Sequence, residues 1–200
     1  MIRIEDIASA TEYRRLQDIG RVQVDLRYAT PNNFVGRDLY GGFDCAWLHR
    51  DAATALEHAE AWLHVSRPDL RLLVLDALRP QRVQEELWAA LDGTELRMYL
   101  ADPARGSIHS YGMAVDVTLI DAQGKELDMG TPFDDLTALS HPALEAGFLA
   151  KGELTTRQVA NRQLLRDAMF SAGWQGINTE WWHFDCGDRI NVRATYPRVL

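Results

Sequence analysis

Apolar residues recur at helical spacing in the segment 51–65, DAATALEHAEAWLHV, where Leu56, Ala59 and Leu63 fall on one face and Asp51 is placed to cap the first turn. The next apolar run, LRLLVL at 70–75, is short and nearly continuous, so it reads as a buried strand ending at Asp76. Pro80 fits the first position of a second helix, about 80–91, with Val83, Leu87 and Leu91 turned inward. Between 113 and 119 the period changes to two. Met113, Val115, Val117 and Leu119 face one way, and Ala114, Asp116 and Thr118 face the other, which predicts a strand with one acid on its smaller side. Helical spacing returns at 156–172 with Val159, Leu164, Leu165, Ala168 and Met169, and Gly173 is the stop. The aromatic stretch Glu180–Cys186 reads as a last strand. There is no repeat, low-complexity run or Gly/Ser/Pro-rich linker. The pattern predicts an α+β fold: one domain over 1–200, with a central, mostly antiparallel sheet flanked by helices.

Composition narrows the function. A hydrophobic fraction of 46% with six tryptophans can build one substantial core. A formal charge of -8 argues against a nucleic-acid partner, which would require a basic face to neutralise phosphates. Cys45 and Cys186 are too few for a disulfide framework and read as buried thiols in a reducing compartment. The opening MIRIEDIASATEYRRLQDIG has no apolar signal-peptide region, and no apolar stretch of about 18 residues follows. The expectation is a cytoplasmic protein with no membrane partner.

Two segments concentrate chemistry: Ser107-Ile-His109-Ser-Tyr-Gly112-Met-Ala114-Val-Asp116 and Glu180-Trp-Trp-His183. A catalytic zinc takes three ligands from His, Asp or Glu and keeps one position for water, whose pKa falls to about 7. A carboxylate that is not a ligand must then accept the water's proton. His109, Asp116 and His183 supply two imidazoles and a carboxylate, and Glu180 is the spare base. Gly112 permits a turn between the first two ligands. Glu180 and His183 have an odd separation, so in a regular strand they would point to opposite faces; they can share a site only if Glu180 lies in the loop before the strand. Taken singly, any of these histidines is more simply a core or surface group. His49, His58 and His64 fall in or beside the first helix, where solvent exposure explains them. Arg79 taken alone reads as a surface salt-bridge partner. Cys186, three residues after His183, faces away from it in a regular strand.

The joint pattern Ser-x-His-x-x-Gly-x-Ala-x-Asp followed by Glu-x-x-His resembles the D-Ala-D-Ala metallopeptidases. Within them it is most similar to the D-alanyl-D-alanine dipeptidases, including those of vancomycin-resistance clusters. Further blocks carry the resemblance: Val24–Thr30 with Asn33-Phe34, Asp76-Ala77-Leu78-Arg79-Pro80, Met129–Asp134, and Ser140-His141. The blocks run from about residue 24 to 185. One departure is Leu78, where the family usually has an aromatic. Another is Tyr40-Gly41-Gly42-Phe43, which does not align clearly with the family's pocket loop.

The resemblance implies one Zn2+ per chain on His109, Asp116 and His183, Glu180 as general base and then acid, and Arg79 as stabiliser of the oxyanion. It also implies that Asp134 receives the free amino terminus of a small dipeptide, that Ser107 lies near its carboxylate, and that Tyr28 lines the pocket. The expected reaction is hydrolysis of D-Ala-D-Ala to two D-alanines. The rival is a zinc D,D-carboxypeptidase or endopeptidase acting on larger wall peptides. A metal-bound fold that recognises peptide termini without cutting them would need neither Glu180 nor Arg79.

Overall fold

A computed structural model describes all 200 residues, Met1–Leu200. In chain order the regular elements are β1 (Tyr13–Arg15), β2 (Gln23–Val24), β3 (Trp47–His49), α1 (Arg50–Ser66), β4 (Arg71–Asp76), α2 (Gln81–Ala90), β5 (Ala114–Ile120), α3 (Glu145–Ala150), α4 (Thr156–Ser171), β6 (Trp174–Gly176), β7 (His183–Cys186) and α5 (Arg189–Thr195), with short 3-10 turns between them. Five strands form the main sheet in the order β2-β4-β5-β7-β6, and β1 pairs with β3 in a separate ribbon. Only the β2–β4 pairing in the main sheet is parallel. This is the expected α+β architecture. No helix is long and apolar enough to cross a membrane.

One face of the sheet is closed by α1 and α4. Leu56 and Leu63 of α1, Leu165 and Met169 of α4, and Val115, Val117 and Leu119 of β5 join one core. Burying each such side chain contributes roughly 1.5–3 kcal/mol. The period-two reading of β5 holds, but its second side is also covered, since every residue of the strand is buried. There Ile120 packs with Leu73, Leu75 and Phe133. The segment between β5 and α4 roofs this second face.

Several local expectations change. His49, not Asp51, caps α1: its Nδ1 accepts the Asp51 N–H at 3.2 Å. His49 is therefore half-buried, edge-on to Tyr196, rather than solvent-exposed. Pro80 precedes α2 instead of occupying its first position. The last strand starts at His183, because residues 180–182 lie in an irregular loop. Cys45 is buried and Cys186 half-buried, both unpaired. Helix α4 inserts Arg162 where pattern reading sees only a polar residue.

Arg162 is fully buried. Its Nε donates to the Met129 carbonyl at 2.6 Å, Nη1 and Nη2 donate to the Leu139 carbonyl at 3.1 Å, and Nη1 reaches Glu145 at 3.3 Å. One guanidinium thus fastens the roof segment, Asp134 included, to α4. Arg162→Met should strand the Met129 and Leu139 carbonyls, while Glu145 keeps its ion pair with Arg166. Two buried carbonyls left without donors should cost roughly 3 kcal/mol, seen as a thermal midpoint lowered on the order of 10 °C by calorimetry. An unchanged midpoint would remove Arg162 as the fastener.

Candidate active site

Strand register assembles the site. On β5 and β7, Asp116 sits directly opposite His183, and on β4 and β5, Asp76 sits opposite Asp116. Directly opposed residues share a face, so all three side chains project away from α1 and α4. The Asp76 pairing follows an irregularity between Val74 and Asp76 that re-aims the end of β4. His109 arrives from the turn Ile108–Tyr111, which ends at Gly112 in the left-handed conformation (φ 65°). A Cβ on Gly112 would lie 2.8 Å from both the His49 backbone nitrogen and the Tyr13 ring, so close packing and backbone geometry both select glycine there.

Hydrogen bonds set the ring nitrogens. His109 Nδ1 lies 2.8 Å from the Ala77 carbonyl. A carbonyl only accepts, so Nδ1 carries the hydrogen and Nε2 presents a lone pair. His183 Nε2 lies 2.9 Å from Asp185 Oδ1, which fixes its hydrogen there and turns the Nδ1 lone pair inward. The two inward nitrogens are 3.2 Å apart, and Asp116 Oδ1 lies 3.0 Å from one and 3.4 Å from the other. Three acceptor atoms therefore meet in a buried place. A tetrahedral zinc bound at 2.0–2.1 Å would hold its ligand atoms about 3.3 Å apart. The donor set fits such an ion, and these three residues form a cluster able to hold a metal. Cys186 is not part of it.

Without a metal, a proton must supply the positive charge. Burial would lower the His183 pKa, but the Asp185 and Asp116 carboxylates overcome it and raise it to about 10. Burial likewise works to raise Asp116, yet the charges and hydrogen bonds of His109 and His183 hold it below the usual carboxylate range. One proton on His183 Nδ1 can satisfy only one of two neighbours at a time; a single cation satisfies all three.

Around the cluster opens a cavity of about 450 Å³, and all eight residues singled out in the sequence line it: Tyr28, Arg79, Ser107, His109, Asp116, Asp134, Glu180 and His183. This lies within the usual range for a small-molecule pocket. Glu180 is half-buried in the loop before β7, which resolves the odd-spacing problem. Burial raises its pKa to about 7, against the pull of His183 and with the push of Asp116. Arg79 is buried, not a surface partner. It makes paired hydrogen bonds to Asp76 Oδ2 at 2.8 and 2.6 Å and contacts Gln84 at 3.1 Å and Asp116 at 3.3 Å. Its guanidinium lies 4.9 Å from the centre of the Tyr28 ring. Tyr28 donates to Asp134 Oδ1 at 3.0 Å, while Oδ2 is buried without a partner. Burial, reinforced by the charge of Asp116, pushes the Asp134 carboxyl well up. Asp134 also adopts φ 62°, the left-handed region that Asp tolerates better than most residues.

The supporting roles of two residues escaped the sequence reading. Asp185 follows His183 by two on β7, so strand periodicity could have found it on the same face. Asp76 follows the apolar run Leu72–Leu75 at the end of β4 and receives both Arg79 and the Tyr40 hydroxyl. Tyr40 and Leu78 belong to a smaller core beside the site and do not line the cavity, so the two departures from the family pattern lie outside its wall.

Comparison with known proteins agrees with this geometry. A family model described as D-Ala-D-Ala dipeptidase matches residues 9–200. The D-alanyl-D-alanine dipeptidase of Escherichia coli K12 is 36% identical over 176 residues, covering 88% of this chain and 82% of the relative. That of Enterococcus faecalis V583 is 31% identical, covering 82% of this chain and 85% of its own length. That of Synechocystis is 29% identical, covering 78% and 75% respectively. With a match that spans nearly the whole chain and relatives above 30% identity, the chain belongs to the D-Ala-D-Ala dipeptidase family of peptidases.

Proposed function

We propose that residues 1–200 form one zinc dipeptidase domain that hydrolyses D-Ala-D-Ala to two D-alanines, with one Zn2+ held by His109, Asp116 and His183. The observation that carries the reading is the convergence of three acceptor atoms, 3.0–3.4 Å apart, in a buried place. When bound, zinc supplies a Lewis acid and lowers the pKa of water. The proposal sets the enzyme beside free dipeptide in the cytoplasm, in cell-wall metabolism, which fractionation of expressing cells tests.

The chain's own residues have separate tasks in this reading. Glu180 takes the proton of the attacking water and returns it to the leaving amine; a carboxylate with a pKa raised to about 7 suits both directions. Arg79 donates to the carbonyl oxygen as negative charge develops there. Its fork is held in advance by Asp76 and Gln84, so little reorganisation is needed during reaction. Asp134 accepts the substrate's ammonium through the oxygen that otherwise lacks a partner, and Tyr28 steadies the other oxygen. Ser107, buried in the cavity wall, serves the substrate carboxylate.

Replacing His183 by Ala should abolish metal retention. Zinc measured by atomic absorption should fall from about one per chain to near zero, and full retention would reject the ligand set. Glu180→Ala should keep the metal and lose at least about 10²-fold in kcat; loss of zinc in this variant would instead make Glu180 a ligand. A free amino terminus should matter as well. D-Ala-D-Ala should exceed N-acetyl-D-Ala-D-Ala in kcat/KM by roughly 10²-fold or more, because the acetylated substrate leaves a buried carboxylate unpaired. Asp134→Ala should lose most of that preference. Equal rates on both substrates in the unmodified enzyme would favour a carboxypeptidase.

A further inference from the structure

The cavity wall carries more arginines than two alanines require. Besides Asp134, Tyr28 and Arg79, the wall carries Arg97, Arg105, Arg189 and Arg193, and the charges of Arg105 and Arg189 act on Arg193. Two of these four arginines are already neutralised. Arg97 contacts Asp92 at 2.7 Å, and Arg189 contacts Asp185 at 2.5 Å. Arg105 and Arg193 form no ion pair. Among the other acids of the wall, Asp102 spends an oxygen on the Ala104 N–H at 2.8 Å, and Glu180 feels the charge of Arg189.

Arg193 is held in place without being neutralised. Its Nε donates to the Gly106 carbonyl at 3.1 Å and Nη1 to the Arg189 carbonyl at 3.3 Å, both uncharged acceptors. Gly106 is the residue before Ser107, so Arg193 is anchored next to the group assigned to the substrate carboxylate. Burial and the neighbouring charges of Arg105 and Arg189 make the protonated guanidinium harder to keep, which an incoming anion would relieve. In a chain of net charge -8 such a gathering of cations runs against the overall balance. The main-chain carboxylate of a dipeptide brings one negative charge, and the rim has capacity for a second.

The geometry points to Arg105 and Arg193 as an anion subsite that extends the substrates to dipeptides whose carboxyl-terminal residue bears an acidic side chain. This rests on the dipeptidase reading above. A guanidinium pair meets a side-chain carboxylate through charge-assisted hydrogen bonds, and the contact lies beyond the reacting carbonyl. It therefore acts on binding more than on the chemical step, lowering KM with little change in kcat.

The test is kcat/KM of the zinc-loaded enzyme on D-Ala-D-Ala, D-Ala-D-Glu and D-Ala-D-Lys, in the unmodified protein and in Arg105→Gln and Arg193→Gln. Circular dichroism and zinc content report whether each variant is folded. Arg105 is an exposed loop residue, so its variant remains informative if Arg193→Gln misfolds. D-Ala-D-Glu should exceed D-Ala-D-Lys by roughly tenfold, the scale of one half-exposed charge-assisted contact. The difference should lie in KM, shrink with added salt, and collapse toward unity in the folded variants. Hydrolysis of D-Ala-D-Ala with no preference for the acidic dipeptide, or a preference that survives both substitutions, overturns the subsite and leaves the dipeptidase intact. Failure on every dipeptide overturns the dipeptidase reading, and the subsite falls with it.

Discussion

Three lone pairs pointed at one another in a buried space are the constraint on which this structure turns. His109 Nε2, His183 Nδ1 and Asp116 Oδ1 would repel unless a positive charge lay among them. Each is nonetheless locked into that arrangement from behind. The Ala77 carbonyl fixes one ring and the Asp185 carboxylate fixes the other. Antiparallel pairing puts Asp116 opposite His183. The fold therefore stores a site whose stability depends on a cation or a proton, and the hydrogen bonds around it choose which atoms face inward.

The same cavity separates its carboxylates by environment. Asp116 is held low by the two imidazoles, whereas Glu180 and Asp134 are pushed up by burial and by the negative charge of Asp116. Acids driven in opposite directions within one pocket take different work. The low one suits permanent ligation, and the raised ones suit proton exchange and pairing with an ammonium. Arg79 belongs to this balance: buried between Asp76, Asp116 and Tyr28, it holds its charge where a lone guanidinium would be costly. Arg162 performs a similar service at the roof, where a single buried fork collects carbonyls that no secondary structure satisfies.

The sequence by itself determined the long elements and the kinds of atoms in the site. Helices α1, α2 and α4 and strands β4 and β5 follow hydrophobic periodicity within a residue or two, because burying one face is what makes them form. The spacing of His109 and Asp116, and of Glu180 and His183, supplies two imidazoles and two carboxylates, of which His109, Asp116 and His183 form a cluster able to hold a metal. Short elements such as β1, β2, β6 and α5 carry too few residues for a period to register. Which residue caps α1, and that Arg162 lies inside, were decided by neighbours distant in sequence, as was the burial of Arg79. Only the tertiary structure could bring Asp76, Asp116 and His183 into one row, since strand register depends on pairing between segments far apart in the chain. It also decided that Glu180 stands outside β7 and can face the site, that Asp185 backs His183, and that one oxygen of Asp134 is left without a partner. Local sequence sets what a segment prefers to be; which lone pair faces which is set where segments meet.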